Sequence, residues 1–486
     1  MAPSLLRTDG YKFSMAEAGW PLRRETFYYS HRKGGAQVMP VDAAAFIREN
    51  LPSEQPGDYE FLATHEYDMG SGFKRAMTSG SELVIRAVPK GAIFYAGEPV
   101  FSVTGRSGLV SWLEPLLLQL NFRIQIATLA RLQPEALASS IAEVTCEEQK
   151  RVVLETLDAV GAKPVPMAVK TDEFVKRVKE TARGLIDAVG NPARIFEVGL
   201  RSVSCMAQHE IALKALKEVG VTRTSNVEAA KKFDMIPVGT MGHEHIQRYG
   251  SDSTAFRAMR DRRPYRSSYL LDTYDTLRQG LPAAYALIAE ESERGDSIRF
   301  DSGDKVAQAR IAVQRAREQK LNPSLILEDG LDVELTRTLE EARREMSWPE
   351  DKWFYGYGGY LVSRTANAVL TRDRVAAVYK LSQSGPFATM KFGDEAGHGK
   401  ESHPGQPVVL RRTSASANGS KPIGIVAQEG EKVPEGYAKL SGADRDVGPG
   451  AESNFHIERS EATRALAEDL RASHFSGANP NNRSSS

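Results

Sequence analysis

From residue 194 onward, short apolar runs of strand length alternate with segments whose apolar residues recur at helical spacing. The runs fall at 195–200, 220–224, 236–240, 269–272, 297–301, 324–328, 353–357 and 375–381. Between them, Val306, Ala309, Val313 and Ala316, or Leu335, Leu339 and Ala342, each mark one buried helix face. Eight strand and helix repeats predict an α/β fold built on an irregular β/α barrel, with an open doubly wound sheet as the alternative, since periodicity does not report closure.

The flanking segments carry other patterns. Residues 1–132 mix strand-like runs at 26–29, 83–88 and 99–103 with an apolar helix or helix pair at 109–130, an N-terminal α+β domain. Residues 133–190 turn charged and helical: 148–160 sets Val152, Val153, Leu157 and Val160 on one face, a Pro-containing break follows at 163–167, and 172–189 is a second helix. This stretch is expected to be a helical insertion before the barrel domain at 191–381. Residues 382–475 predict a strand and loop region that completes the N-terminal domain, closing with a helix near 461–470. The Asn/Ser/Gly-rich tail at 476–486 has no apolar periodicity and predicts disorder.

At 486 residues with 41% hydrophobic content, the chain can bury the cores of two domains. Lys+Arg and Asp+Glu both total 63, so no net field favours nucleic acid or an anionic membrane, and any phosphate site must be a local cluster. Two cysteines, Cys146 and Cys205, with no Cys-x-x-Cys pair, read as buried small apolar residues in a reducing compartment. The N-terminus lacks the apolar segment of a signal peptide, and the greasiest run, 109–122, is interrupted by Glu114 and Pro115. A soluble cytoplasmic protein is expected.

Polar groups gather where the strand-like runs end: Arg201; Thr224, Ser225 and Asn226; Gly239, Thr240 and His243; Asp272 and Asp275; Arg299, Asp301 and Asp304; Asp329 and Asp332; and Gly356-Tyr357-Gly358-Gly359. In a barrel, all of these share one rim, where such folds build their sites. Asp301 and Asp329 could accept hydrogen bonds from ribose hydroxyls or hold Mg²⁺ through water, and Gly358 and Gly359 let backbone N–H groups approach a phosphate ahead of a helix. Asp304, just before a helical segment, reads as an N-cap. His243-Glu244-His245-Ile246-Gln247 fails as a zinc-protease motif because Gln247 stands at the second ligand position, and no metal-ligating set is expected among the side chains.

Taken together, Thr8-Asp9-Gly10-Tyr11-Lys12-Phe13-Ser14-Met15, Phe196-Glu197-Val198-Gly199-Leu200-Arg201, Thr224-Ser225-Asn226, Gly239-Thr240-Met241-Gly242-His243, Asp272-Thr273-Tyr274-Asp275, Arg299-Phe300-Asp301-Ser302-Gly303-Asp304, Glu328-Asp329-Gly330 and Val378-Tyr379-Lys380-Leu381 with Met390-Lys391 resemble the nicotinate phosphoribosyltransferase family in content and order. The resemblance implies a type II phosphoribosyltransferase that joins nicotinate to phosphoribosyl pyrophosphate, giving nicotinate mononucleotide and pyrophosphate in NAD biosynthesis. It also implies Mg²⁺, ATP as co-substrate, and a head-to-tail homodimer with sites at the interface. By motif match, His243 is the residue phosphorylated by ATP, Asp272 its hydrogen-bonding partner, and Asp301 a third catalytic residue. Tyr11 is expected to stack on the pyridine ring from the neighbouring subunit. Arg201 and Arg299 would hold a carboxylate or phosphate, Ser225 the base, Asp329 the sugar, and Gly358 with Gly359 the 5′-phosphate.

Three features depart from the pattern: Val198, the run at 355–360, and the helical stretch at 133–190, which is longer than the family's usual connection between domains. Val198 stands where nicotinamide-using relatives carry an aromatic, and Tyr355-Gly356-Tyr357-Gly358-Gly359-Tyr360 is closer to that branch. Ser225 stands where that branch places an Asp, and an uncharged group better tolerates a carboxylate substrate. Nicotinate is therefore the expected base. The alternatives are a nicotinamide-using enzyme and a non-catalytic binding protein on the same scaffold.

Overall fold

The computed structural model describes residues 2–263, 265–363, 370–392, 401–413, 423–440 and 457–475; the expected disordered tail lies outside them. In the N-terminal region, alternate residues of Arg24–His31 face one core: Phe27 stacks on Tyr379 at 5.1 Å and Tyr29 on Phe101 at 4.8 Å. This strand is central in an antiparallel sheet ordered Phe387–Ala388, Ala377–Ser384, Arg24–His31, Phe101–Arg106, Val84–Ala87. The apolar run at 109–130 is a helix pair, Ser107–Trp112 and Glu114–Leu132, with Pro115 in the first turn of the second, where its missing N–H costs nothing.

One strand differs from expectation. The run at 375–381 was expected to be the eighth barrel strand, but Ala377–Ser384 pairs antiparallel with Arg24–His31, Tyr379 opposite Tyr29. Its burial pattern marks the difference. Ala377, Tyr379 and Leu381 are buried while Val378 and Lys380 are only partly covered, the period-two pattern of an antiparallel strand.

The other seven runs form a parallel sheet ordered Ile236–Pro237, Arg223–Thr224, Ile195–Glu197, Trp353–Tyr357, Ser324–Leu327, Ser297–Phe300, Ser268–Leu270. Ile236–Pro237 and Ser268–Leu270 follow each other in sequence yet lie at opposite edges, so the sheet curls into a barrel-like layer with an unpaired seam between them. Its outer face buries Tyr269, Ile298, Phe300, Leu325, Leu327, Trp353 and Tyr355 under the surrounding helices. Its inner face is different. Ser268, Ser297 and Ser324 are small and only partly buried, so the lumen is a cavity rather than the layered side-chain core usual in barrels.

The helices start at side-chain caps that also set the rim. Asp304 accepts from Ala307 N at 3.0 Å, as expected of a cap; Asp332 accepts from Leu335 N at 2.8 Å and Asn226 from Ala229 N at 3.1 Å. Helices Pro134–Ser140, Glu147–Ala159 and Thr171–Val189 occupy the segment between the two sheets. Phe174, Val178, Ala182, Leu185 and Val189 of the last one join the same core as the barrel. Among the described residues, no helix is long and apolar enough to cross a membrane.

Candidate active site

The N-terminal segment docks on the barrel rim backbone to backbone. Gly10 N donates to Ser225 O at 2.8 Å, and Asp9 bridges Asn226. A Cβ on Gly10 would lie 2.4 Å from Val238 O and one on Gly239 2.3 Å from Tyr11 N, so both positions exclude side chains by contact alone. This approach puts Tyr11 against Arg201 of the same chain, the guanidinium 5.6 Å from the ring centre, with the phenol donating to Glu114 Oε2 at 2.7 Å. Tyr11 was expected from a neighbouring subunit. Within the single chain, the glycine contacts hold residues 9–11 on their own barrel, beside their own Arg201.

Around that ring, Ser225 Oγ donates to Asp9 Oδ1 at 2.6 Å, and Arg201 lies 3.4 Å from Asp9 Oδ2 and 3.5 Å from Glu114 Oε1. Burial pushes the Asp9 carboxyl above its ordinary range, although the Arg201 charge and the Ser225 hydrogen bond oppose it. Lys12 bridges Glu114 at 2.7 Å and Glu244 at 2.5 Å, so the buried carboxylates beneath the ring are paired.

His243 opens the short helix His243–Tyr249 and points into a second cluster. Its Nδ1 is 3.0 Å from Thr273 Oγ1 and its Nε2 2.8 Å from Lys391 Nζ. An ammonium can only donate, so Nε2 accepts, and the remaining ring proton sits on Nδ1 facing Thr273. Asp272 was expected to bond His243 directly. It lies 3.9 Å away, and Lys391 bridges the two, reaching Asp272 Oδ2 at 3.2 Å while Ser302 donates to the same oxygen at 2.6 Å. The fully buried carboxylate draws in the nearest cation, which then occupies the imidazole face. Asp301 Oδ2 approaches Nε2 to 3.5 Å.

Burial first, and then the Lys391 charge, pull His243 down to about 4, so the ring is neutral near pH 7. Burial alone would raise Asp301, but its contact with His243 and the charges of Arg299, His243 and Lys391 hold it below the ordinary carboxylate range. Arg299 bonds Thr240 Oγ1 and lies 3.7 Å from Glu328 Oε2 and 3.9 Å from Asp301 Oδ1. Lys380 is depressed to about 7 by burial and by the nearby cations Arg32 and Lys391.

Two cavities meet here. One of about 500 Å³ runs from Asp9, Tyr11, Arg201, Ser225, Thr240 and Arg299 down the barrel lumen, where Phe196 and Phe354 stack at 5.4 Å. The other, of about 380 Å³, is lined by Asp301, Asp329, Gly358, Gly359, Tyr360 and Arg372. They share Val198, Arg201 and Glu328. Gly356 keeps that junction open, since a Cβ there would lie 2.5 Å from the Glu328 side chain.

Thus the structure brings Tyr11, Arg201, Ser225 and Arg299 to the first cavity and Asp301, Asp329, Gly358 and Gly359 to the second, with His243 and Asp272 against Asp301. Sequence reasoning did not assign Asp9, Glu114, Glu328, Arg372, Lys380 or Lys391 to the site. Glu114 gave a usable signal, a lone carboxylate opening an otherwise apolar helix.

The fold and rim together define a parallel α/β barrel with an N-terminal α+β domain and a polar, two-lobed site at the carboxyl ends of its strands. Solved nicotinate phosphoribosyltransferases share that architecture: the one from Porphyromonas gingivalis aligns at TM-score 0.59 and 17% identity over 83% of this chain and 96% of its own, and the one from Vibrio cholerae at 0.57 and 18% over 80% and 88%. Residues 193–396 match the Nicotinate phosphoribosyltransferase (NAPRTase) family, which bears out the resemblance carried by the motifs. The Bacillus subtilis nicotinate phosphoribosyltransferase is 40% identical over 87 residues, 18% of each chain, and the Mycobacterium tuberculosis one 30% over 44% of this chain and 43% of its own. These matches span less than half of those relatives' length. The human enzyme is 24% identical over 90% of this chain and 81% of its own.

Proposed function

We propose that this protein is a nicotinate phosphoribosyltransferase in NAD biosynthesis, transferring the phosphoribosyl group of phosphoribosyl pyrophosphate to nicotinate. The observation that carries this reading is the junction of the two cavities. A lobe that sets the Tyr11 ring beside Arg201 and Arg299, with ample room for a flat anionic base, opens at Arg201 and Glu328 into a lobe of carboxylates and glycines suited to a sugar phosphate. In the reaction, the bond from ribose C1 to pyrophosphate breaks as the pyridine nitrogen lone pair closes on C1. Holding both groups in register across one junction would supply part of the acceleration.

Tyr11 would face the base, Arg201 and Arg299 its carboxylate, Asp301 and Asp329 the ribose hydroxyls and developing positive charge, and Gly358 with Gly359 the 5′-phosphate. The crowding of Arg32, Lys380 and Lys391, which lowers Lys380, suits a site that awaits pyrophosphate. Mg²⁺ prefers oxygen ligands and arrives with phosphates, so Asp301 and Asp329 would hold it, where it would neutralise leaving-group charge. His243, Asp272 and Asp301 also offer ligand atoms within 4.8 Å of one another, but Lys391 among them makes a resident divalent ion a poor fit.

For ATP coupling, His243 Nε2 is the nucleophile. Lys391 withdraws from Nε2, the lone pair attacks the γ-phosphorus, the bond to the ADP oxygen breaks, and ADP leaves. A head-to-tail homodimer belongs to the same reading. The test is product formation from nicotinate, phosphoribosyl pyrophosphate and Mg²⁺ with and without ATP. His243→Ala should keep some ATP-independent transfer and incorporate no γ-phosphate; no product under any condition refutes the activity.

One observation favours nicotinamide instead: Asp9 sets a buried carboxyl oxygen at the base lobe, an acceptor for an amide N–H. Turnover of nicotinamide but not nicotinate would establish that second reading.

A further inference from the structure

Two helix N-termini outside the site are built alike and face each other. Thr145-Cys146-Glu147-Glu148-Gln149 and Ser204-Cys205-Met206-Ala207-Gln208 each place a cysteine at the N-cap, with φ/ψ of −163°/166° and −161°/166°. In each, the glutamine three residues on folds back as in a capping box: Gln149 Oε1 accepts from Thr145 N at 2.6 Å and Oγ1 at 2.9 Å, and Gln208 Oε1 from Ser204 N and Oγ at 2.8 Å each. Gln149 Nε2 then donates to Ser204 Oγ at 2.8 Å, locking one motif to the other. The result is a Cys146 Sγ to Cys205 Sγ distance of 3.8 Å between residues 59 apart in sequence, both buried.

We propose that Cys146 and Cys205 are a modification site, a dithiol that peroxides convert to an intramolecular disulfide and thiols restore. The sulfurs are in van der Waals contact across a doubly capped frame, and bond formation requires them to close from 3.8 Å to about 2.05 Å. Both sit at helix N-termini, where the dipole favours a thiolate, and the charge falls on Cys146, because the hydrogen bond to Cys146 and burial hold the Cys205 thiol above its ordinary range. The hydrogen bond from the Cys205 thiol and the Gln149 N–H, at 3.5 Å, hold Cys146 below the usual thiol range despite burial. Cys205 also lines a cavity of about 140 Å³ with Ser204, Met206 and Glu148, a route for a small oxidant.

The chemistry balances. One thiolate attacks a peroxide oxygen, the O–O bond breaks and hydroxide leaves; the second thiolate attacks the resulting sulfenic sulfur, the S–O bond breaks and a second hydroxide leaves. The two thiol protons turn both hydroxides into water. The bond would tie helix Glu147–Ala159 to the segment carrying Arg201, three residues before Ser204.

The chain has only two cysteines, so the test is unambiguous. The full chain is exposed to hydrogen peroxide, then denatured and alkylated. Expected is a fall from two alkylated thiols to none in a monomeric product lighter by two hydrogens, reversed by dithiothreitol, at a rate at least tenfold above that of the urea-unfolded chain. Cys205→Ser should abolish the species. Two thiols persisting while methionines oxidise, disulfides only between chains, or no rate advantage over the unfolded chain would each overturn the proposal.

Discussion

Replacing Lys391 with Met should release the His243 ring from its unusual neutrality. At 2.8 Å, the ammonium and a protonated ring would repel by about 6 kcal/mol at an effective dielectric near 20. Even a third of that, about 2 kcal/mol, corresponds to roughly 1.5 pKa units. With the cation gone, Asp301 at 3.5 Å and Asp272 at 3.9 Å both favour the imidazolium, so His243 should move from about 4 to above about 5.5. Long-range ¹H–¹⁵N spectra of the ring across pH 3.5–8, assigned by loss of signals in His243→Asn, read this directly. They should also find the wild-type proton on Nδ1. Unpairing buried Asp272 costs about 3–5 kcal/mol, so Lys391→Met/Asp272→Asn provides a folded background for the same titration. A His243 that still titrates near 4 without Lys391 would refute the assignment of that cation as a cause.

Stability should fall steeply in acid. Burial holds His31 and His245 near 3 and His243, His403 and His474 near 4, whereas the unfolded rings titrate near about 6.5. Between those limits the unfolded chain binds more protons, so each ring removes up to about 1.4 kcal/mol per pH unit as pH falls; a melting temperature unchanged from pH 6.5 to 4.5 would contradict this. Gly239→Ala sets a methyl against Tyr11 N and should undock the N-terminal segment, costing about 1–3 kcal/mol and weakening base binding more than phosphoribosyl pyrophosphate binding, as calorimetry with each ligand would report. Equal losses for both would place Tyr11 outside the base lobe. Asp301→Asn keeps shape while removing charge beside His243 and should lower kcat/KM by about 2–4 kcal/mol in transition-state free energy; wild-type turnover would remove Asp301 from the reacting centre.

Seven of the eight barrel runs were legible because a parallel strand covered on its outer face reads as an apolar stretch with a polar end, and the polar ends were the site. The eighth, 375–381, has the same composition but a half-exposed alternation at Val378 and Lys380, and periodicity does not state which sheet a strand joins. Asp304 and Asn226 were readable as rim residues, and Asp304 as a cap, because capping is local. Lys391 and His243 stand 148 residues apart, so neither residue's surroundings encode their contact. The open lumen had a faint trace in Ser268, Ser297 and Ser324, the first residue of three successive strands, but only the curled sheet turns three small residues into one cavity.

The same electrostatics distinguish the two lobes. In the base lobe the arginines are matched inside the protein, Arg201 with Asp9 and Glu114, Arg299 with Glu328 and Asp301. Both Arg201 and Arg299 are held above the ordinary guanidinium range despite burial, so this lobe is a permanently charged frame. Lys380, in contrast, falls to about 7, first through burial and then through the neighbouring charges of Arg32 and Lys391. An anion entering beside it relieves repulsion already present in the folded chain, and it draws a proton onto Lys380 as it binds. Above about pH 7 that uptake must be supplied from solution, so calorimetry with phosphoribosyl pyrophosphate should show affinity declining with rising pH by up to about tenfold per unit, and a flat profile from pH 7 to 9 would refute a role for Lys380. On the proposed reading, the first lobe would select by fixed geometry and the second would favour a highly charged ligand.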